Sequence, residues 1–254
     1  MTTWAGGAFG QRARCVLAPN ADFMTLDGTN TWVLREPGAR RSVVIDPGPE
    51  IESHLDAVAE VAGEVAAVLL THGHLDHSEA ARSFAERMGC GVRALDPAHR
   101  LGSEGLGDGD VVEVDGLEVH VVGTPGHTSD SLSFVVPAEG AVLTGDTVLG
   151  RGTTVVDGSL ADYLDSLQRL RELGHARALP AHGPELESIA DACDALIAHR
   201  EQRLDQVRAA LSQRGADATV QQVTDAVYPD VDPSVRFAAE LSVQAQLDYL
   251  RERG

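Results

Sequence analysis

The stretch that decides the fold is Val68-Leu69-Leu70-Thr71-His72-Gly73-His74-Leu75-Asp76-His77-Ser78. An apolar run, typical of a buried strand, leads into a loop in which four of the six residues 72–77 are His or Asp. Neutral imidazole and carboxylate are ligands that zinc accepts, and alternate residues of an extended loop can bring two side chains to one ion. A single histidine in a polar turn is usually structural, but this ordered group is rare by chance and predicts a metal site.

Three later turns each place one further ligand-type residue after an apolar run: Gly126-His127, Gly145-Asp146 and His182-Gly183. Each turn alone is weak evidence, because glycine-bearing turns with His or Asp are common. Together with the loop they form an ordered set. The seven candidate ligands are His72, His74, Asp76, His77, His127, Asp146 and His182. The remaining histidines lack ligand-like spacing and are interpreted as surface or structural residues: His54, His99, His120, His175 and His199.

Short apolar runs that alternate with Gly, Asp and Pro turns predict a mixed α/β domain. The expected strands are 31–34, 42–46, 66–70, 111–114, 117–122, 132–136, 141–144 and 177–179, with Asp115-Gly116 as a hairpin turn. The expected helices are 78–88 and 159–173, followed after residue 185 by 189–211, 220–227 and 233–253. The loss of strand signal predicts a boundary near Gly183-Pro184. The two domains would be 1–184, which carries the site, and a helical domain, 185–254.

Composition narrows the class of protein. With 254 residues, of which 43% are hydrophobic, the chain can bury a sizeable core. The 39 acidic and 20 basic residues give a net charge of −19, which repels polyanions at long range. Three widely spaced cysteines fit neither a disulfide framework nor a thiolate cluster, so we expect a reducing cytoplasm. Neither a signal peptide nor a membrane span is expected.

The ordered ligands resemble those of the metallo-β-lactamase fold superfamily, whose pattern is H-x-H-x-D-H followed by single His, Asp and His ligands. The resemblance implies a four-layer αβ/βα sandwich with the metals between the sheet edges. It further implies that Asp146 bridges two metal ions. The first ion would be bound by His72, His74 and His127, and the second by Asp76, His77 and His182.

Three further segments, 28–32 (GTNTW), 128–131 (TSDS) and 149–154 (LGRGTT), resemble the β-lactamase-like protein 2 family. That family adds a small winged-helix-like C-terminal domain, but because the last predicted helix ends at residue 253, we expect the helices of such a domain without its wing. The first and third segments supply the candidate substrate-binding residues Asn30, Gly152 and Thr153.

The expected chemistry is hydrolysis by a metal-bridging hydroxide at a centre of two zinc ions per chain, with iron or manganese as alternatives. Asp76 is both a candidate ligand and the candidate catalytic carboxylate that orients the hydroxide or moves its proton. Thr71, Thr128 and Asp130 are candidates for hydrogen bonds to the imidazole N–H groups.

Several substrates stay open. An ester, thioester or lactone of a small metabolite or acyl carrier is favoured, with cleavage of RNA phosphodiesters by a metal-dependent endoribonuclease as the alternative. A β-lactamase and a non-enzymatic DNA-binding regulator are less favoured. Residues 185–254 hold seven Arg against 13 Asp and Glu, so nucleic acid is a poor partner for the helical domain. That domain is expected to form one wall of the substrate cleft or a homodimer contact.

Overall fold

Two β-sheets form the centre of the computed structural model, which describes residues 4–215 and 217–253. The first sheet has six strands in sequential order. They are β1 (Gly7–Phe9), β2 (Ala13–Leu17), β3 (Asn30–Leu34), β4 (Arg41–Ile45), β5 (Glu64–Leu69) and β6 (Gly91–Arg93). The second sheet has five strands in the order β11-β10-β9-β8-β7. They are β7 (Val111–Val114), β8 (Leu117–Gly123), β9 (Leu132–Val136), β10 (Ala141–Gly145) and β11 (Arg177–Pro180).

Helices cover the outer faces of both sheets. The first sheet packs against α1 (Glu52–Ala62) and α3 (Ala81–Met88), while the short α2 (Leu75–Ser78) lies within the metal-loop segment. The second sheet packs against α4 (Leu160–Arg171) and the start of α5 (Ile189–Arg214). Two more helices follow, α6 (Val220–Val227) and α7 (Arg236–Arg253). The layers are therefore helix, sheet, sheet and helix, as the resemblance implies.

The main core lies between the two sheets. Alternate residues of each strand point inward, so that Trp32 and Ile45 of the first sheet meet Phe134 and Leu143 of the second. All four side chains are at most 2% exposed. This close packing holds the edges of the two sheets in fixed positions relative to each other.

Parallel pairing places the chemistry-bearing turns side by side. In the first sheet β4 pairs with β5, and Ile45 lies opposite Leu69, so the residues that follow both strands emerge at one edge. In the second sheet β10 pairs with β11, and Gly145 lies opposite Pro180. The segments after β5, β10 and β11, which carry predicted ligands, thus lie on one rim of the sandwich together with the segment after β4.

The predicted strands all overlap strands of the structure, with bounds that differ by at most two residues. Asp115 and Gly116 form the predicted hairpin turn with φ of 49° and 92°. The elements without a prediction are β1, β2, β6 and α1. The helix predicted over 78–88 is divided, because α2 ends before α3 begins.

The C-terminal region is helical. Its own small core joins Val207 of α5, Val223 and Val227 of α6, and Val243 and Leu247 of α7. No strand follows β11 in the part of the chain that the structure describes. No helix there combines the length and apolar character needed to cross a bilayer.

Candidate metal centre

One group of candidate ligands joins three imidazoles at the end of β5 and after β8. His74 Nδ1 lies 3.0 Å from His72 Nε2 and 3.1 Å from His127 Nε2. These three ligand atoms all lie within 4.8 Å of one another. His72 and His127 are buried, whereas His74 is half-buried and borders a cavity.

A second group lies next to the first. Asp76 Oδ2 is 3.3 Å from His77 Nε2 and 3.2 Å from His182 Nε2. The first two residues belong to α2, while His182 follows β11, so their meeting depends on the contact between the sheets. The Asp76 side chain is 28% exposed and His77 is fully buried.

Asp146 lies between the two groups. Its Oδ2 is 3.6 Å from His127 Nε2, and its Oδ1 is 3.3 Å from His182 Nε2 and 3.6 Å from His77 Nε2. The preceding Gly145 has φ of 51°, and a Cβ there would lie 2.8 Å from the Thr71 side chain. Only glycine permits this close approach, which sets Asp146 against the ligand loop.

The four buried imidazoles are all oriented through Nδ1, which leaves Nε2 facing the cluster. His72 Nδ1 contacts Thr71 Oγ1 at 3.1 Å, which confirms that one of the three expected hydrogen-bond partners lies at an imidazole. Nδ1 of His77 lies 2.9 Å from Asp46 Oδ2. Nδ1 of His127 lies 2.8 Å from the carbonyl oxygen of Val155, and Nδ1 of His182 lies 3.2 Å from that of Gly28. Such partners are typical of metal-binding histidines, because they select the tautomer and hold the ring.

Thr128 and Asp130, the two other expected partners, lie elsewhere. Thr128 Oγ1 contacts Ser131 Oγ at 2.8 Å, which stabilises the turn after His127. Asp130 lies against the backbone of Gly73, where an added Cβ would be 3.3 Å from its Oδ2. Both residues support the loops around the cluster.

Asp46 is a site residue that the sequence analysis missed. It is 1% exposed, has φ of 49° and accepts hydrogen bonds from the backbone and hydroxyl of Thr71 at 2.8 and 2.6 Å. The same carboxylate contacts His77 Nδ1. The signal that could have revealed it is the Asp46-Pro47-Gly48 turn, which directly follows an apolar strand.

The pKa values of the imidazoles are shifted in opposite directions at the two ends of the cluster. Burial, helped by the neighbouring imidazoles, holds the pKa of His72 well below its ordinary value. Burial also disfavours a charged His182, but the carboxylates of Asp146 and Asp76 outweigh it and raise the pKa of His182 to about 9. The same carboxylates raise the pKa of His77 well above its ordinary value against the effect of burial. Negative charge at this end of the cluster favours a cation there.

The donor set fits bound metal. Ligand atoms 2.0–2.1 Å from one tetrahedral zinc ion stand about 3.3 Å apart, and the separations given above run from 3.0 to 3.6 Å. His77 Nε2 and Asp146 Oδ1 are buried without a hydrogen-bond partner. Buried polar atoms normally have partners, so two unsatisfied atoms aimed into a His and Asp cluster mark a place for a cation.

A buried arginine supports the loop that orients His127. Arg200 of α5 is 2% exposed and donates from Nη2 to the carbonyl oxygen of Thr154 at 2.6 Å. Thr154 Oγ1 in turn lies 3.0 Å from His127 Nδ1. The guanidinium lies 5.1 Å from the centre of the Tyr163 ring. Arg200 of the helical region is thus connected to the ligand His127 by hydrogen bonds through Thr154.

Two cavities open onto the cluster. The larger, of about 490 Å³, is bordered by ligand side chains and by Phe237 and Leu241 of α7. The smaller, of about 230 Å³, includes the predicted substrate residues Gly152 and Thr153. Asn30 is placed differently: it is fully buried, and its amide donates to the carbonyl oxygens of Pro180 and Gly183. The structure therefore brings two of the three substrate-binding candidates to a cavity, and Asn30 ties β3 to the end of β11.

Comparisons with known proteins agree with this geometry. Residues 24–182 match the family model described as "Metallo-beta-lactamase superfamily", and residues 219–254 match "Beta-lactamase associated winged helix domain". The second match confirms the winged-helix-like assignment of the C-terminal region.

Two curated relatives and one solved structure are similar to the chain. A "Beta-lactamase-like protein 2 homolog" of Caenorhabditis elegans is 31% identical over 256 residues, covering 94% of this chain and 84% of that protein. An "Atrochrysone carboxyl ACP thioesterase" of Aspergillus fumigatus is 38% identical over 205 residues, 77% of this chain and 64% of that protein. A "Beta-lactamase domain protein from Burkholderia ambifaria" superposes with a TM-score of 0.86 at 21% identity, covering 100% of this chain and 90% of that one. This last likeness shows the fold.

Proposed function

The chain belongs to the metallo-β-lactamase superfamily and is a metal-dependent hydrolase, and on that premise we propose that it cleaves carboxylic esters or thioesters at a dinuclear zinc centre. The observation that carries the proposal is the placement of Asp146, whose two oxygens face different groups of candidate ligands. Asp146 would contact both ions. The first would be held by His72, His74 and His127, and the second by Asp76, His77 and His182.

Two bound divalent cations would supply an activated water near neutral pH and a Lewis acid for the substrate's carbonyl oxygen. Asp76 is the catalytic residue that we assign on the protein side. Its carboxylate lies on the cavity wall, and the imidazoles of His77 and His182 hold its pKa far below the ordinary value despite burial. Bound cations would take over this role from the imidazolium charges, so the carboxylate would stay ionised and could accept a hydrogen bond from the attacking water and hold it against the carbonyl carbon.

Zinc is the metal that the side chains fit best. Five of the seven candidate ligands are imidazoles; of the two carboxylates, Asp76 lies in the second group and Asp146 lies between the two groups. Nitrogen donors suit zinc and iron, while manganese prefers oxygen donors. Metal analysis of the purified protein can distinguish zinc from the two alternatives, iron and manganese.

Esters and thioesters fit the surroundings of the cluster better than RNA. The net charge of −19 repels a polyanion, and Asp22 and Asp157 line the larger cavity. A relative carries the name of an acyl carrier protein thioesterase, which supports acyl transfer to water. Lactones share the same reacting carbonyl and belong to the proposed substrate class.

The helical region completes the catalytic unit in this proposal. We place the domain boundary near Gly183-Pro184, as proposed from the sequence, with α5 shared between the two cores. Ile189 and Cys193 at the start of α5 pack against the second sheet, and Val207 near its end packs against α6 and α7. The side chains of Phe237 and Leu241 form one wall of the larger cavity.

A cytoplasmic location also remains a prediction.

Turnover by one zinc-loaded preparation tests the proposal. The substrates are a p-nitrophenyl ester, an N-acetylcysteamine thioester, a lactone and a short RNA. We expect hydrolysis of the ester and thioester, about two zinc ions per chain and loss of turnover on Asp146→Ala with the fold retained, because no core side chain is removed.

Asp56→Asn is the matched control, because Asp56 is an exposed aspartate of α1 that pairs with Arg87. It should keep both metal content and turnover. RNA cleavage without ester or thioester hydrolysis would overturn the proposed substrate class, and one zinc ion per chain at saturating zinc would overturn the dinuclear centre.

A further inference from the structure

Exposed apolar side chains gather around the metal centre. Among the described residues six large apolar side chains are strongly exposed: Phe23, Met24, Leu75, Val111, Phe237 and Leu241. All except Val111 border one of the two cavities at the cluster. Single exposed apolar residues are ordinary, but a concentration in one place marks a binding surface.

The larger cavity has apolar walls from three separate parts of the chain. Met24 comes from the loop before β3, Leu75 begins α2, and Phe237 and Leu241 lie one turn apart on α7. Leu75 is 70% exposed although it lies between two candidate ligands. The volume of about 490 Å³ lies within the range of small-molecule sites. An apolar group held there would lie beside the reacting centre.

The charges at this cavity select against an anionic group. Asp22 and Asp157 line it together with the acidic members of the cluster, and no arginine lines it among the described residues. Arg151 borders the smaller cavity, where its guanidinium is paired with Asp27 at 2.6 Å. On the wall away from the metal ligands, a phosphate or carboxylate would meet Asp22 and Asp157 and no arginine.

We infer that the larger cavity binds the apolar acyl chain of an uncharged ester or thioester, and that Phe237 and Leu241 of α7 determine the preferred length of that chain. This inference rests on the proposed function, because it assigns the acyl part of that substrate. Each methylene group that becomes fully buried strengthens binding about 4-fold. The smaller cavity, with Gly152 and Thr153, is left for the alcohol or thiol part.

The test uses the zinc-loaded full chain and p-nitrophenyl acetate, hexanoate and decanoate. We expect kcat/KM to rise at least 10-fold from acetate to hexanoate. The double variant Phe237→Ser, Leu241→Ser should lose most of this rise. Val111→Ser is the matched control, since it removes an equally exposed apolar side chain away from the cavities, and it should keep the full rise. Equal kcat/KM for all three esters, or an equal loss for all three in the double variant, would overturn the inference.

Binding of the neutral apolar dye Nile red provides a readout that needs no turnover. The double variant should bind the dye at least 5-fold more weakly than Val111→Ser does. If no ester is hydrolysed, the proposed activity fails, and the dye still decides the inference: weaker binding by the double variant supports it, and equal binding overturns it.

Discussion

The Nδ1 atom of His77 lies 2.9 Å from Oδ2 of Asp46, and both side chains are almost fully buried. The carboxylate also accepts two hydrogen bonds from Thr71, so its position is held by a second segment of the ligand loop. The Asp46 carboxylate therefore sets the direction in which His77 Nε2 faces the cluster. Loss of this contact should therefore lower metal affinity more than it lowers the stability of the fold.

Asp46→Asn should weaken the second metal site about 10- to 100-fold, because one acceptor oxygen becomes a donor and the imidazole loses its ionic partner. Competition with a zinc chelator measures the affinities of both sites, and we expect one of the two affinities to fall while the other is kept, because Asp46 contacts a ligand of the second site only. Asp56→Asn, on an exposed helix face, is the control that keeps both affinities. Unchanged zinc affinity in Asp46→Asn would show that Asp46 has a structural role alone.

His182→Ala should reduce zinc content from about two ions to about one, since its Nε2 faces Asp76 and Asp146 at 3.2 and 3.3 Å. Because the other candidate ligands remain, raising the free zinc concentration should partly restore kcat/KM. The control is His175→Ala, which removes an exposed histidine. Failure of rescue at every zinc concentration would contradict the assignment of His182 to the second ion.

Arg200→Met should weaken zinc binding at the first site about 10-fold, because Thr154 loses its donor and the loop that holds His127 loosens. Two effects on stability oppose each other: the lost hydrogen bond costs about 1–3 kcal/mol, and removing a buried guanidinium relieves a desolvation cost of similar size. We therefore expect a small change in the Tm of the zinc-free protein. Arg208→Met, on the exposed face of the same helix, should alter neither quantity. A large fall in Tm with normal zinc affinity would show that Arg200 is only structural.

Because His54 is buried in its neutral form, the free energy of unfolding should fall in weak acid. Burial lowers its pKa to about 4, although a backbone hydrogen bond at Pro47 opposes this, and Nε2 contacts Thr31 Oγ1 at 2.9 Å. The unfolded chain, with a pKa of about 6.5, takes up the proton first as the pH falls. Stability from neutral His54 is thus complete above pH 6.5 and is lost towards pH 4, by about 3 kcal/mol.

Urea unfolding of the wild type and of His54→Gln between pH 7 and 4 measures this effect. The free energy of unfolding should fall more steeply with decreasing pH in the wild type than in His54→Gln. His175→Gln, which changes an exposed histidine, should follow the wild type. Parallel pH profiles for wild type and His54→Gln would contradict the role of this buried imidazole.

Local patterns alone predicted much of the molecule. The ligand-bearing turns, the Asp115-Gly116 hairpin and the long helices are encoded by neighbouring residues, through apolar periodicity and turn chemistry. The helix α1 carries such a pattern too, with Leu55, Val58 and Ala62 buried and Gly63 after its end, so local sequence could have predicted it as well. The strands β1 and β6 have three residues each, which is too short for a reliable alternation.

The tertiary structure decided which side chains meet. Nothing local distinguishes Asp46 from any other aspartate at the end of a strand; its contact with His77 follows from the parallel register of β4 and β5. Asn30 was a predicted substrate-binding residue, yet its amide donates to the carbonyl oxygens of Pro180 and Gly183 and is completely buried. The cavity wall of Phe237 and Leu241 depends on how α7 packs against a loop more than 200 residues earlier. Sequence encodes periodicity over a few residues, whereas sheet register and helix docking are set by burial across the whole chain.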